Sequence, residues 1–315
     1  MGFKLRDGQK IHLPAVFKKK FTRLDYTPPG ILRTPEDVLA SIEKARYVFR
    51  RHSIDVRKGS SLDQLLSRSE REMRKSSGVP QRAADLEYVI AMAGILIGLA
   101  DEDGIRILLD RIARGEMETS SGKYSQGKDA LWELHCLSIL NMGAMKSCLA
   151  EPDIVTDFGF GEYGIACKKV YSENSVEKCV KKGISQIDSA KMPGMVALNI
   201  DDLVIPPGRI MHAQDQDYLR EMLQSYASEF VKRHRPTLEK YSSGGRCDGF
   251  LISASRSALL HGTGRFTYIG VNLLIPMSGP TDTAGIRMDS FARQTSNADG
   301  LEEWVAKVGG KAFGL

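Results

Sequence analysis

Apolar positions follow a helical period through the first third of this chain and a strand period through much of the rest. Val38, Ile42, Ala45 and Phe49 fall three or four apart. They follow Thr34, Pro35 and Asp37, which supply a cap, a first-turn proline and an early acid, so a helix is predicted to open near residue 35. A second helix is expected over Ser61–Lys75. Two strongly apolar helices, near 83–100 and 104–114, are expected to form the core of this half. Residues 1–33, with Lys18-Lys19-Lys20 and the turn signal Thr27-Pro28-Pro29-Gly30, read as a basic, irregular or strand-containing lead-in.

Residues 115–127 are rich in Ser, Gly and Thr and read as a linker or loop. They place a boundary near residue 120, between a basic, mostly helical domain (1–120) and an α/β domain (121–315). The second part is expected to open with a helix over 128–149, followed by a strand Asp153–Asp157, a turn at Gly159–Gly161 and a returning strand Tyr163–Tyr171. Ser172 or Ser175 then caps a helix with the stripe Val176, Val180, Ile184 and Ile187, and Lys178, Lys181 and Lys182 lie on its opposite face. The nonpolar run Gly194–Ile200, reached through a helical crossover, suits a buried strand parallel to its predecessor. A long helix (219–240) and strands at 249–253 and 266–275 complete the reading. The fold class is α/β, a helical N-terminal region followed by a mixed β-sheet flanked by helices.

With 315 residues and 42% hydrophobic content the chain can build a substantial core. Its longest apolar run, the 13 residues Tyr88–Ala100, falls short of the roughly 20 that cross a bilayer. The opening Met1–Asp7 lacks a signal-peptide apolar region. No membrane insertion and a cytoplasmic location are expected. The five cysteines, Cys136, Cys148, Cys167, Cys179 and Cys247, have no zinc-type spacing and read as reduced core thiols. His135, His212 and His261 show no metal-ligand spacing, and Gly262–Arg265 reads as a turn between strands.

Charge is uneven. Residues 1–82 hold 19 Lys and Arg against 9 Asp and Glu, a local +10, so with a net charge of +5 the remaining 233 residues carry −5. Such a field favours a polyanion, and Arg68, Arg71, Arg74 and Lys75 on the second helix, with Lys178 and Lys182 further on, are the nucleic-acid-binding candidates. A solvated helical surface is the competing reading.

The chemistry concentrates in Glu151-Pro152-Asp153-Ile154 and Ile165-Ala166-Cys167-Lys168-Lys169, with Glu133 on the helix before and Gln186 on the helix after. Phosphodiester hydrolysis uses carboxylates that hold Mg²⁺ and a lysine that orients or deprotonates water. This succession of helix glutamate, Pro-Asp, hairpin, strand lysine and helix glutamine resembles the PD-(D/E)xK, or restriction-endonuclease-like, nuclease superfamily over roughly residues 128–200.

The resemblance implies a restriction-endonuclease-like core that binds DNA and cuts it with Mg²⁺, in a setting such as defence against foreign DNA. It gives Glu133 and Asp153 metal-binding roles, makes Lys168 the water-activating group and Gln186 its support. The second acid of the motif belongs at position 166, where this chain has Ala166. Glu162, Asp157 or Glu133 are the substitutes considered, and Glu162 joins Asp153 and Glu133 as a metal-ligand candidate. A nuclease-like fold that binds DNA or a partner protein without cutting is the alternative, and association with a protein partner or a second copy stays open. The span from Leu149 to Asp153 leaves little room for the strand that precedes Pro-Asp in the family, so a trimmed or permuted core is expected.

Overall fold

Helical spacing gives way to strand spacing just after residue 142, seven residues earlier than the apolar pattern implies. The computed structural model describes residues 2–4, 10–12, 22–26, 35–74, 80–142, 145–204, 211–243, 247–263, 265–277 and 283–295. Strands β1 (Gly2–Lys4) and β2 (Lys10–His12) pair as a short ribbon, and β3 (Thr22–Tyr26) follows. Four helices come next: α1 (Pro35–Arg51), α2 (Ser61–Arg74), α3 (Pro80–Gly98) and α4 (Ile105–Arg114). Then come α5 (Gln126–Met142), β4 (Lys146–Ala150), β5 (Asp153–Asp157), β6 (Glu162–Lys169), α6 (Val176–Ala190) and β7 (Gly194–Asn199). The chain continues with α7 (Asp201–Val204), β8 (Met211–Ala213), α8 (Gln216–Ser242), β9 (Cys247–Leu260), β10 (Arg265–Pro276) and α9 (Thr283–Thr295). Thr34, Lys18–Lys20 and the Thr27–Gly30 turn lie outside the described residues.

One mixed sheet organises the molecule, in the order β3-β10-β9-β7-β6-β5-β4, with β8 pairing β9 off this path. Strands β4, β5 and β6 form an antiparallel meander, and α6 then crosses over to set β7 parallel to β6, as expected of a buried apolar strand after a helix. Every residue of β7 is buried. Met195 and Ala197 enter the apolar cluster on one face, and Val196 and Leu198 enter the cluster on the other. This two-sided burial is why the segment reads as a continuous apolar run rather than an alternating one. Helix α6 buries its stripe Val176, Val180, Ile184 and Ile187 against the second cluster, each side chain worth about 1.5–3 kcal/mol of transfer free energy.

Two expectations about the centre of the chain are corrected. The helix predicted over 128–149 is α5 followed by the separate strand β4, which supplies the strand that seemed to lack room before Pro-Asp. Leu140, Met142, Met145 and Leu149 are spaced two to four apart and suit either period. Edge strand β4 alternates only between exposed and half-buried positions, so it leaves a weak strand signature. Residues 115–127 are an anchored loop rather than a loose linker. A Cβ on Gly115 would lie 2.5 Å from the Gly127 nitrogen. The Ser125 hydroxyl donates to the Glu116 carbonyl (2.6 Å) and accepts from the Gly127 and Lys128 amides at the start of α5.

Phe49, Leu66 and Leu96 from the first four helices share a single apolar cluster with Ile154, Ile165 and Leu274 of the sheet, so the core runs continuously across residue 120. All five cysteines are free; Cys136, Cys167 and Cys247 are buried, whereas Cys148 is exposed on the edge strand. Among the described residues no helix is long and apolar enough to cross a membrane.

Candidate functional site

Lys168 and Asp153 meet because of strand register. Ile154 faces Ile165 across β5 and β6, which sets Asp153 at the start of β5 beside Ala166 and within reach of Lys168 two residues further along β6. The Lys168 ammonium donates to Asp153 Oδ2 at 2.7 Å and to the Cys167 carbonyl at 2.6 Å, while the Cys167 amide donates to the same Oδ2 at 2.7 Å. Both side chains are mostly buried, 13% and 14% exposed. Because β6 lies inside the sheet between β5 and β7, these lysines do not decorate an exposed edge.

Gln186 arrives from α6. Gly183, one turn earlier, presses that helix onto the sheet: a Cβ there would stand 2.7 Å from Val196 Cγ1, a contact only glycine avoids. The Gln186 amide nitrogen then donates to the Pro152 carbonyl (3.0 Å) and lies 3.4 Å from Asp153 Oδ1. Its Oε1 is buried without a hydrogen-bond partner, an orphaned acceptor of the kind that a water or a cation normally satisfies.

Glu133 comes from α5, which is tied to the sheet by the Trp132 indole donating to the Ala197 carbonyl (3.2 Å). Burial and the nearby charge of Asp153 push its carboxyl up to about 7, against the opposing pull of Arg111 and Lys168. The Arg111 guanidinium lies 3.5 Å away. A carboxyl poised near neutrality beside a second carboxylate marks a place where positive charge would be strongly stabilised.

The structure therefore brings together Glu133, Asp153, Lys168 and Gln186, and it leaves other predicted residues apart. Glu162 is exposed at the far end of β6, opposite Asp157 and six residues from Lys168, roughly 20 Å along a strand; it belongs to the hairpin turn and lies away from Asp153 and Lys168. Asp157 accepts from the Gly159 amide and caps that turn. Ala166 is fully buried in the apolar cluster beneath α6.

Of the cations named on α2, one turns inward and two stay at the surface. Arg68 is committed inward, to Asp85 (2.9 Å) and Glu118 (2.9 Å), Arg74 pairs with Glu70 one turn away, and Arg71 remains exposed, donating to the Ser67 carbonyl. Lys75 lies outside the described residues. Lys178 and Lys182 are exposed on α6. Their element faces the site through Gln186, and Lys182 is near enough to Asp129 to act on its carboxyl. His135 is a buried residue whose imidazole burial pushes down to about 4, and His212 and His261 stack at 5.2 Å.

Sequence reading missed Asp129 and Tyr171 and gave Lys169, though it stands in the motif, no role. Asp129 stands four residues before Glu133, on the same face of α5, and burial raises its carboxyl pKa while Tyr171, Lys169, Lys168 and Lys182 hold it back. The i, i+4 spacing of two acids was the available signal. The Tyr171 hydroxyl bonds Asp129 Oδ1 at 2.8 Å and the Ser125 carbonyl at 2.9 Å, tying the end of β6 to the start of α5. Lys169 turns away from Lys168, as strand alternation requires, and meets Asn199 Oδ1 at 2.8 Å and Asp202 at 3.6 Å.

The groups gathered here offer hard oxygen donors: Asp153 Oδ2 and the Cys167 carbonyl on the Lys168 ammonium, the Glu133 carboxyl within electrostatic reach, and the orphaned Gln186 Oε1 on the neighbouring helix. That set suits Mg²⁺. Among the described residues no three His, Cys, Asp or Glu gather into a metal-holding group, so a cation here would complete its shell with carbonyl, amide and water oxygens. Comparison with known proteins is silent: no family model, curated protein or solved structure matches the chain.

Proposed function

We propose that this protein is a divalent-metal-dependent phosphodiesterase acting on nucleic acid, most naturally DNA, with a restriction-endonuclease-like core formed by α5, β4, β5, β6, α6 and β7. The observation that carries the reading is the meeting of Asp153, Lys168, Glu133 and Gln186 at one end of a meander whose fourth strand is parallel. Asp153 and Glu133 would hold the cation, with Gln186 beside them. Bound Mg²⁺ would lower the pKa of a coordinated water and offset charge on the phosphate. Lys168, held at its position by Asp153, would as an ammonium orient the attacking water and offset charge on the phosphate. Gln186 steadies the Asp153 carboxylate, and Arg111 pairs with Glu133 from the solvent side.

The test is cleavage of labelled single- and double-stranded DNA with Mg²⁺ or Mn²⁺. Lys168→Ala is expected to lower the rate about 10²–10³-fold, the usual worth of a donor aimed at developing charge. Asp153→Asn is expected to abolish cleavage with binding in EDTA retained. Wild-type rates in either variant would sink the assignment.

A non-cutting reading rests on Ala166. With no acid at that position, and with Asp153 Oδ2 already holding Lys168, the site is one carboxylate short of the family pattern. Salt-sensitive DNA binding without cleavage by any divalent cation is the outcome that selects it.

A further inference from the structure

We propose that Tyr124 is a stacking platform for an unpaired nucleobase beside the reacting phosphate, so that the substrate is single-stranded or frayed nucleic acid rather than closed duplex. This deepens the function proposed above and rests on it. Tyr124 is 66% exposed, the highest value among the large hydrophobic side chains of the described residues. Its surroundings set it apart from an ordinary surface tyrosine. The ring meets Tyr171 edge-on, with centroids 5.6 Å apart and planes at 69°, a favoured aromatic geometry. Tyr171 is itself pinned through its hydroxyl to Asp129 and the Ser125 carbonyl. Ser125, next in the chain, is buried and caps α5.

The platform is thus supported from beneath while most of its surface faces water. Its phenol lies within electrostatic reach of Asp129 and of Arg111, and Arg111 pairs with Glu133. The ring therefore borders Asp129, one helical turn from Glu133 on α5, with exposed Lys123 adjacent and exposed Lys182 near Asp129. An exposed aromatic face among cations at the edge of a phosphate-processing site is the combination that holds single strands. Every base offers a π-face, and the basic rim takes the backbone. In a closed duplex that face is covered by neighbouring base pairs, so a base reaches the ring only where pairing is absent or opened.

The test uses oligonucleotides carrying 2-aminopurine in a single-stranded overhang, matched against the same sequence fully paired, all in EDTA so that no cutting occurs. Binding of the overhang by wild-type protein is expected to quench the fluorophore. Tyr124→Phe should retain the quenching, because the ring remains. Tyr124→Ala should abolish it and weaken overhang binding about 5- to 150-fold, the range that base–aromatic stacking supports, with duplex affinity unchanged. Urea unfolding midpoints of the variants check that the fold is intact. Binding without quenching in the wild type, or equal weakening of both substrates by Tyr124→Ala, would overturn the platform and leave the phosphodiesterase reading standing. Binding of no nucleic acid at low salt would remove both.

Discussion

Helix α2 and the end of the sheet around Lys168 are both rich in charge, yet they handle it in opposite ways. At α2 the charges are largely paired: Arg68 holds Asp85 and Glu118, and although burial opposes ionisation of Glu118, the hydrogen bond and charge of Arg68 more than offset it, so that carboxyl titrates below its ordinary value, while burial still raises Asp85 and the Arg68 Nε lacks a partner. At the sheet end Glu133 is driven up to about 7 by burial and by Asp153, Gln186 keeps an unanswered oxygen, and the lysines of α6 face solvent. Satisfied charge is what a stable core selects; unsatisfied charge persists where a ligand is meant to complete it. Mutations should therefore cost stability in the first region and leave or improve it in the second.

The largest effect is expected at Arg68. Replacing it with Ala leaves Asp85 and Glu118 partly buried without their partner, and breaking such a pair costs about 3 kcal/mol. Urea unfolding should show this as a fall in midpoint without a change in slope. If the protein binds DNA as proposed, the salt dependence of that binding should not move, because Arg68 is committed to Asp85 and Glu118. A variant as stable as the wild type would erase the contrast from the α2 side.

Glu133 sharpens the contrast from the other side. In the native state its carboxyl keeps a proton up to about pH 7, whereas an unperturbed glutamate releases it near 4.5. Between those values the native state binds more protons than the unfolded state, so stability contributed by protonated Glu133 is present at low pH and is lost as pH rises through 7. The difference corresponds to about 3 kcal/mol. Glu133→Gln should be more stable than wild type at pH 8 by up to that amount and equal to it near pH 4. Saturating Mg²⁺ should narrow the gap at pH 8 by favouring the ionised carboxylate. A gap that does not change between pH 4 and 8 would show that Glu133 titrates normally.

Much of the framework was legible in the sequence because its local signals agreed with its tertiary surroundings. The stripe Val176, Val180, Ile184 and Ile187 predicted α6 and its buried face, and the unbroken apolar run of β7 predicted a strand covered on both sides. Strand β4 was hidden because an edge strand with one half-buried face has little period-two contrast, and its apolar residues also fitted a continued helix. Glu133, Asp153, Lys168 and Gln186 could be named together because they stand in the order their elements require. Glu162 lies away from them because it sits at the other end of its strand, which spacing from Asp153 alone does not reveal. Asp129 and Tyr171 went unseen because their value lies in a contact across 42 residues. The loop 115–127 misled by composition: its Gly and Ser residues serve a close backbone crossing and a helix cap rather than mobility.

The smallest effect on stability and the cleanest on binding is expected from Lys178 and Lys182. Both are exposed on the face of α6 opposite its apolar stripe, and neither makes an ion pair with the described residues. Changing both to Gln should shift unfolding by no more than about 0.5 kcal/mol, as for surface positions free of special contacts. If they meet the backbone of the substrate, each releases about one counterion on binding. The slope of log Kd against log salt should then fall by about 1 for each lysine replaced, uniformly across sequences. Arg71→Gln on α2 is the matched control and should leave the slope unchanged. A slope that responds to Arg71 and not to the α6 lysines would move the nucleic-acid surface back to the helical half, and would mean that the unanswered charge at the sheet end serves the phosphate being cut without helping to hold the strand.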